Sequence, residues 1–171
     1  MKTLTLDRIN SFSESEFIEE LGGLFEHSPW IAAATWPLRP FSALEQLHEG
    51  LCRNLQAASD VQHLALIRAH PDLVGKAARS GHLTAASTQE QSAAGLSQLT
   101  PEEIALFDEW NQKYQDRFGF PFIICSRLNK KDAILNGFHN RIHHSREEEF
   151  AAALREIETI AWFRLSDRVA K

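Results

Sequence analysis

The chain has 171 residues, of which 43% are hydrophobic and 24% are charged, and its formal net charge is -5 at pH 7. This length and composition fit one globular domain that buries roughly 70% of the surface exposed by the unfolded chain. Acidic and basic residues are interspersed, so the chain lacks the basic face that a nucleic-acid partner requires. No apolar run is long enough to span a bilayer, and the N-terminal residues lack the uninterrupted apolar stretch of a secretory signal.

Two cysteines, Cys52 and Cys125, lie far apart in the sequence. They match neither a disulfide framework nor a CxxC metal or redox motif, which predicts a protein of the reducing cytoplasm. Cys125 stands in an apolar run with no neighbouring group that would activate its thiol. We therefore expect a buried thiol there and not a nucleophile.

Helix-start patterns dominate the first part of the chain. A serine followed three residues later by glutamate forms a capping box, and this pattern predicts helices that begin after Ser13 and after Ser42. The spacing of apolar residues carries the first helix to about Glu26 and the second to about Ala58. A short helix is predicted between them, with Ser28 as its N-cap and Pro29 at N1, and it runs through Trp30 to Thr35.

The next predicted helix ends at a histidine. Asp60 is expected to cap this helix, and Pro71 should stop it, because the residue before a proline is disfavoured in helical geometry. His70 is therefore expected at the C-terminal end of the helix. Residues 73–86 fit a short helix, a loop or both.

Two further helix starts follow in the sequence. Ser87 with Glu90 forms a third capping box, which predicts a helix to about Leu96. The sequence Thr-Pro-Glu-Glu at 100–103 combines an N-cap, an N1 proline and an N3 glutamate. It predicts a long helix that ends at Gly119, a residue suited to the left-handed conformation that often follows a helix.

Residues 120–125, FPFIIC, are the one apolar run with the composition of a strand. The run is too short and too isolated for a sheet, so we expect a buried extended segment. A helix over 130–143 and a last helix capped by Ser145 and Glu148 complete the chain. The predicted fold is all-α, a single-domain irregular helical bundle over residues 1–171 with this short buried extended segment.

His70 and Glu90 form the first candidate active site. A histidine at one helix end and a glutamate at the start of the next helix are suited to proton transfer. Each also has a purely structural explanation, since a histidine at a helix C-terminus interacts favourably with the helix dipole and an N3 glutamate completes a capping box. The two explanations are compatible with chemistry, because a helix N-terminus also presents N–H groups to an anionic ligand.

His139 and His143 suggest a second kind of site. They are four residues apart and would share one helix face, as pairs of metal ligands do. No HExxH glutamate lies between them and no third ligand is evident, so we favour a solvated polar face and expect no metal. A metal-dependent hydrolase and a non-catalytic helical binding module remain as alternative classes.

The chain resembles one known family in three segments, namely AHPDLVGKAA at 69–78, STQEQSAAGL at 87–96 and NQKYQDRFGFPFIIC at 111–125. The family is the decarboxylase of the uric acid pathway, which converts 2-oxo-4-hydroxy-4-carboxy-5-ureidoimidazoline (OHCU) to (S)-allantoin and carbon dioxide. The resemblance spans nearly the whole chain. It implies an all-helical homodimer that acts on a small ureidoimidazoline substrate without a cofactor.

The resemblance also implies roles for individual residues. His70 matches the family's catalytic histidine, Glu90 matches its partner glutamate, and Arg164 in the last helix matches an arginine that enters the site. Val74 stands where the family more usually has alanine. The substrate-binding positions that the resemblance implies are Pro71, Ser87, Thr88, Gln89, Glu90, Gln91, Phe122, Ile123, Ile124, Cys125 and Ser126.

Overall fold

The computed structural model describes residues 4–170, and almost all of the regular structure in this range is helical. The α-helices of this range are α1 (Leu6–Ser11), α2 (Glu14–Leu21), α3 (Trp30–Thr35), α4 (Leu44–Gln56), α5 (Asp60–Ala69), α6 (Lys76–Arg79), α7 (Ala85–Ala93), α8 (Pro101–Phe118), α9 (Lys131–Arg141) and α10 (Arg146–Arg168). The range contains no β-sheet, only one bridge between Leu4 and Val169. The predicted all-α class is confirmed. No helix in this range has the length and apolar character needed to cross a membrane.

The described residues form two compact units. The first contains the described residues up to Leu66 together with those from Glu158 onward, and the second is Ile67–Ile157. The two boundaries therefore fall inside α5 and α10. The single domain expected over residues 1–171 stays a prediction.

The first unit has an apolar core to which each of its helices contributes one face. The side chains in it that are fully or almost fully buried include Ile9, Phe17, Leu21, Leu24, Ile31, Leu47, Leu51, Leu55, Ala161 and Leu165. The helix α2 ends at Leu21, short of the predicted end near Glu26, because two glycines of low helix propensity follow it. They open the 3-10 turn Gly22–Leu24. The six-residue helix α1 was too short for its pattern to predict it.

The second unit has an aromatic core on the inner face of α8. The ring centroid of Tyr114 lies 4.5 Å from that of Phe118 and 5.1 Å from that of Phe122. Phe122 also stacks on Phe138, with centroids 3.9 Å apart. Tilted and offset ring pairs of this kind add stability beyond the area that they bury. Gly137 allows the close approach, because a Cβ atom there would stand 3.2 Å from the Phe122 ring.

The helix α8 begins and ends as predicted. Thr100 Oγ1 accepts the N–H of Glu103 at 3.3 Å, and the Glu103 carboxylate accepts the N–H of Thr100 at 2.9 Å. Gly119 follows the helix in the left-handed conformation, with a φ of 78°. Residues 121–125 then run without regular structure, and all of them except the half-buried Ile124 are buried. The predicted buried extended segment is confirmed.

The predicted capping boxes are only partly correct. Those at residues 13–16 and 145–148 are confirmed by reciprocal hydrogen bonds, as is the one that starts α8. Ser42, however, bonds to Gln46 and not to Glu45, with its N–H 2.7 Å from the amide oxygen. Ser59, not Asp60, caps α5, and its Oγ accepts a backbone N–H of the first turn at 3.3 Å. A neighbouring acceptor competes with the predicted one in both places, so the local pattern alone does not select the start.

The start of α7 also differs from the prediction. Thr84 is its N-cap, and the Oγ1 atom accepts the N–H of Ser87 at 3.2 Å. Two alanines follow this cap, and their high helix propensity extends the helix toward the N-terminus. Ser87 is therefore at N3, and Glu90 lies in the second turn. The predicted Ser87–Glu90 capping box is wrong.

We expect Thr84→Ala to lower the free energy of unfolding by about 1 kcal/mol, because α7 would lose its N-cap acceptor. The matched variant Thr84→Ser keeps the hydroxyl and should stay close to the wild type. Urea denaturation followed by far-UV circular dichroism measures the difference. Equal stability of the two variants would contradict the cap.

Candidate active site

His70 directly follows α5, at the end of the helix where the sequence predicts it. Its N–H donates to the carbonyl of Ile67 at 3.2 Å, which closes the last turn. Pro71 has no N–H with which to continue the helix. The His70 residue is 8% exposed, so its imidazole is largely shielded from bulk water.

The loop 71–75 after His70 is held from one side by α8. Asn111 Nδ2 donates to the carbonyl of Leu73 at 2.8 Å, and Gln115 Nε2 donates to Oδ1 of Asp72 at 2.7 Å. Burial raises the pKa of Asp72 above its ordinary value, an effect that the Gln115 hydrogen bond opposes. The two side chains of α8 thus fix both the backbone and the acidic side chain of the loop.

The same loop is held from a second direction by α7. Gln91 Oε1 accepts the N–H of Val74 at 2.9 Å, and Gln91 Nε2 donates to the carbonyl of Asp72 at 3.4 Å. Both ends of this amide are therefore engaged with the backbone of the loop. Gln91 was expected to bind substrate, and its contacts here are those of a residue that shapes the loop.

Val74 and Gly75 make the loop unusually tight. Val74 has a φ of 58°, a left-handed conformation that is a genuine outlier for a β-branched residue. Such a conformation costs of order 1–3 kcal/mol and persists only where the surroundings impose it. A Cβ atom on Gly75 would lie 2.6 Å from the Cβ atom of Asp72, so only glycine fits there without a shift of the loop.

The helix α7 presents two different faces. Ser87 and Gln91 are buried and Glu90 is half-buried, whereas Thr88 and Gln89 are exposed. The period of the helix places residues 87, 90 and 91 on the side that carries the Gln91 contact to the loop. Among the predicted site residues of α7, Ser87, Glu90 and Gln91 therefore share one face and Gln89 is exposed, while Thr88 lines a cavity together with Gln91.

Residues 121–125 form the extended segment, a turn begins at Ser126, and neighbouring side chains bind the backbone of the segment on one side. Arg141 Nη1 donates to the carbonyl of Ile123 at 2.8 Å, and Glu156 Oε2 accepts the N–H of Cys125 at 2.7 Å. Asn129 Nδ2 donates to the carbonyl of Cys125 at 2.9 Å. Two of the predicted substrate-binding positions are thus fixed through their peptide groups.

The peptide groups of Ile124 point the other way. Successive residues of an extended chain direct their N–H and C=O groups to opposite sides. The bound groups of Ile123 and Cys125 share one side, so those of Ile124 face the opposite one. Neither the N–H nor the C=O of Ile124 has a hydrogen-bond partner within residues 4–170.

Cys125 is the buried thiol of the extended segment. It is 2% exposed, which confirms the predicted buried thiol. Burial raises the pKa of this thiol, the N–H groups of Leu128 and Arg127 oppose that rise, and the negative charges of Glu156 and Glu90 add to it. A thiol in this state is not a nucleophile.

Arg164 lies in α10, in the first unit. The residue is 6% exposed, its Nη2 is 2.9 Å from Oε1 of Glu26, and its Nη1 donates to the carbonyl of Leu24 at 3.3 Å. Glu26 is also buried, so the guanidinium is held in a buried ion pair. The catalytic role of Arg164 stays a prediction.

His139 and His143 are exposed at one end of α9. Their ring centroids are 6.1 Å apart, and His139 also meets the edge of Trp110 at 6.1 Å. No group of three or more His, Cys, Asp or Glu side chains within residues 4–170 is arranged to hold a metal ion. The pair therefore has no third ligand in the described part of the chain.

A cavity of about 320 Å³ lies beside the loop and has Val74 in its wall. Its walls include Leu83, Leu96 and Leu99, and its one charged wall residue, Arg79, is bound to Asp108 at 2.8 Å. A pocket of this size is a reasonable first candidate for a ligand site. Neither His70 nor Glu90 is among its lining residues, so we do not assign the chemistry to it.

The loop and the extended segment are held by four side chains whose role the sequence did not predict, namely Asn111, Gln115, Arg141 and Glu156. One signal was available for Asn111, which falls on the buried stripe of α8. A polar side chain on an apolar face needs a buried hydrogen-bond partner, and a backbone group that lies outside a helix can be that partner. Nothing in the local sequence distinguishes Arg141 or Glu156 from solvated residues.

We expect Gly75→Ala to lower the free energy of unfolding by roughly 1–3 kcal/mol, because the added methyl group overpacks the loop against Asp72. Gly23→Ala is the matched control. A Cβ atom there meets nothing closer than the guanidinium of Arg168 at 3.7 Å. Thermal unfolding of both variants measures the effect, and a Gly75→Ala protein as stable as the control would show that the loop has room to adjust.

Comparison with known proteins gives one family. The family model described as OHCU decarboxylase matches residues 10–166. The 2-oxo-4-hydroxy-4-carboxy-5-ureidoimidazoline decarboxylase of Halalkalicoccus jeotgali is 37% identical over 98% of this chain and 93% of that protein. The protein of the same name from Haloferax volcanii is 38% identical over 98% of each chain. A crystal structure of (S)-allantoin synthase has a TM-score of 0.78 at 29% identity over 97% of this chain, which spans 54% of that one. The chain belongs to the OHCU decarboxylase family.

Proposed function

We propose that this protein converts OHCU to (S)-allantoin and carbon dioxide in urate breakdown, without a cofactor. The observation that carries the proposal is that three features expected of this site all lie in the second unit. They are the shielded imidazole of His70, the Glu90 side of α7 and the extended segment. Relatives named for this decarboxylase, and a similar structure named (S)-allantoin synthase, support the same substrate and product.

The substrate itself makes a cofactor unnecessary. Loss of carbon dioxide leaves an electron pair on the carbon that carried the carboxylate, and the adjacent unsaturated, carbonyl-bearing heterocycle accepts this pair. The protein has to hold the ring and turn the carboxylate so that the breaking bond stands perpendicular to the ring plane. It also has to control the protons.

His70 is the proposed general acid and base. An imidazole exchanges protons near neutral pH, and here it would act at the hydroxyl or the carboxylate of the substrate. Glu90 would align the imidazole and contact the substrate from the second turn of α7. Arg164, the third proposed catalytic residue, would donate its fork of N–H groups to a substrate oxygen.

The extended segment is the proposed binding edge for the heterocycle. The N–H and C=O of Ile124 form a donor and acceptor pair on one side of the chain, and a cyclic urea presents the complementary pair. Pro71, the α7 residues 87–91 and the other residues of 122–126 complete the proposed substrate-binding set. Delivery of the last proton from one face of the ring would give a single allantoin enantiomer.

The proposal extends to the state of the protein in the cell. Members of the family are expected to be homodimers, and we propose the same for this chain. The two free cysteines fit the reducing cytoplasm, which is the proposed location. The chain is also proposed to fold as one domain.

The proposal is tested with OHCU generated from urate in situ, while circular dichroism follows the formation of allantoin. The wild type should accelerate the loss of OHCU and give optically active (S)-allantoin. His70→Asn should lower turnover by roughly 10²–10⁴-fold, the usual contribution of a general acid or base, with an unchanged far-UV spectrum. Racemic product at the uncatalysed rate with the wild type would defeat the proposal and favour a non-catalytic binding module.

Glu90→Gln separates chemistry from helix capping. Because Thr84 caps α7 and Glu90 lies in the second turn, this variant should lose turnover and keep the wild-type free energy of unfolding. Glu45→Gln makes the same change at an exposed position of α4 and should alter neither quantity. Full turnover of Glu90→Gln in the OHCU assay would remove Glu90 from the mechanism.

A further inference from the structure

Charged side chains form hydrogen bonds with the backbone of the residue before Ile124 and of the residue after it. Arg141 binds the carbonyl before Ile124, and Glu156 binds the N–H after it, at 2.8 Å and 2.7 Å. Hydrogen bonds in which one partner is charged are shorter and stronger than neutral ones. One bond holds the peptide between Ile123 and Ile124, and the other holds the peptide between Ile124 and Cys125. Both peptide planes next to Ile124 therefore have little freedom to rotate.

Arg141 is itself fixed by a buried carboxylate. Glu149 is 0% exposed, and Arg141 Nε lies 2.9 Å and 3.2 Å from its two oxygens. His144 Nδ1 is 2.7 Å from the same carboxylate, and the hydroxyl of Tyr114 donates to it. Burial and the Glu149 contact raise the pKa of Tyr114, so its hydroxyl stays a donor. An isolated buried carboxylate is costly, and this one has three donors that hold it in place.

Arg141 makes one more contact with the extended segment. Its guanidinium carbon lies 4.4 Å from the ring centroid of Phe122, within the range of a cation–π interaction. Arg141 therefore touches the two residues that precede Ile124, one through its ring and one through its carbonyl. A lysine could not reproduce this, because its ammonium lacks the planar fork.

We propose that Arg141 and Glu156 are positioning residues, which fix the extended segment so that the N–H and C=O of Ile124 face the substrate ring. This inference rests on the proposed decarboxylase function. Neither residue is needed for the reacting bonds, since both bind the side of the backbone that faces away from the Ile124 groups. Their effect on the reaction passes through the orientation of one peptide.

The kinetic consequence differs from that of a catalytic residue. Hydrogen bonds from Ile124 to the ring hold the ground state and the transition state alike, so weakening them raises KM and leaves kcat nearly unchanged. Loss of His70 acts on kcat instead. The ratio of the two kinetic effects therefore separates positioning from catalysis.

Glu156→Met is the main test, because it removes the acceptor for the Cys125 N–H from a half-buried position. We expect KM for OHCU to rise about tenfold, the loss of about one hydrogen bond to the substrate, with kcat within about twofold. Glu156→Gln also removes the charge but keeps an acceptor oxygen, so its KM should stay close to that of the wild type. Glu147→Met, at an exposed position in the first turn of α10, is the control.

Arg141→Lys is the second variant. It keeps a positive charge beside Glu149, which a neutral replacement would leave unpaired and destabilised. It should raise KM in the same way as Glu156→Met, with a wild-type midpoint of thermal unfolding. A KM equal to that of the wild type in both variants would overturn the inference, as would a Glu156→Gln protein as impaired as Glu156→Met.

Amide hydrogen exchange at Cys125 gives a readout that does not depend on activity. The amide should exchange faster in Glu156→Met than in the wild type and at the wild-type rate in Glu156→Gln. Unchanged exchange in Glu156→Met would overturn the positioning role even if OHCU turnover were observed. A wild type that does not accelerate OHCU loss would instead overturn the proposed function, and with it the substrate-facing role of Ile124.

Discussion

Peptide groups in the interior must find hydrogen-bond partners, and the loop after His70 supplies only one such bond itself, from the N–H of Gly75 to the carbonyl of Asp72. Pro71 ends α5, so the backbone of residues 72–74 leaves the helix while it is still inside the protein. Side chains of α7 and α8 provide the missing partners through Gln91 and Asn111. The hydrogen bonds that this short loop requires thus come from two helices, one of which also carries Glu90.

The extended segment follows the same rule with charged partners. The helices of the second unit serve mainly as a scaffold, and the irregular backbone carries the groups proposed to meet the substrate. The carbonyl of Ile123 and the N–H of Cys125 are bound by side chains of α9 and α10, whereas neither backbone group of Ile124 has a partner within residues 4–170. Peptide groups that have no partner inside the protein are what a binding edge for a polar ring requires.

The sequence was sufficient for the fold class and for the ends of the long helices, because these depend on local chemistry. Gly119 and the Thr-Pro-Glu-Glu start of α8 illustrate this. The sequence-based prediction was wrong at the start of α7, where Thr84 and Ser87 are competing N-cap residues and the sequence alone does not select between them. It also missed Arg141 and Glu156, because the contact of Glu156 joins residues 31 positions apart. The candidate residues came from motif resemblance, and the contacts that hold them came only from the structure.

The two buried thiols have a practical consequence. Burial raises the pKa of Cys52 to about 12 and also raises that of Cys125, so we expect both to react more slowly with thiol reagents in the folded protein than in the unfolded chain. Cys52 belongs to the first unit and Cys125 to the second. Each cysteine is therefore a native reporter of the opening of its own unit. Pulsed alkylation followed by peptide mass analysis would show whether the two units unfold in one cooperative step or in sequence.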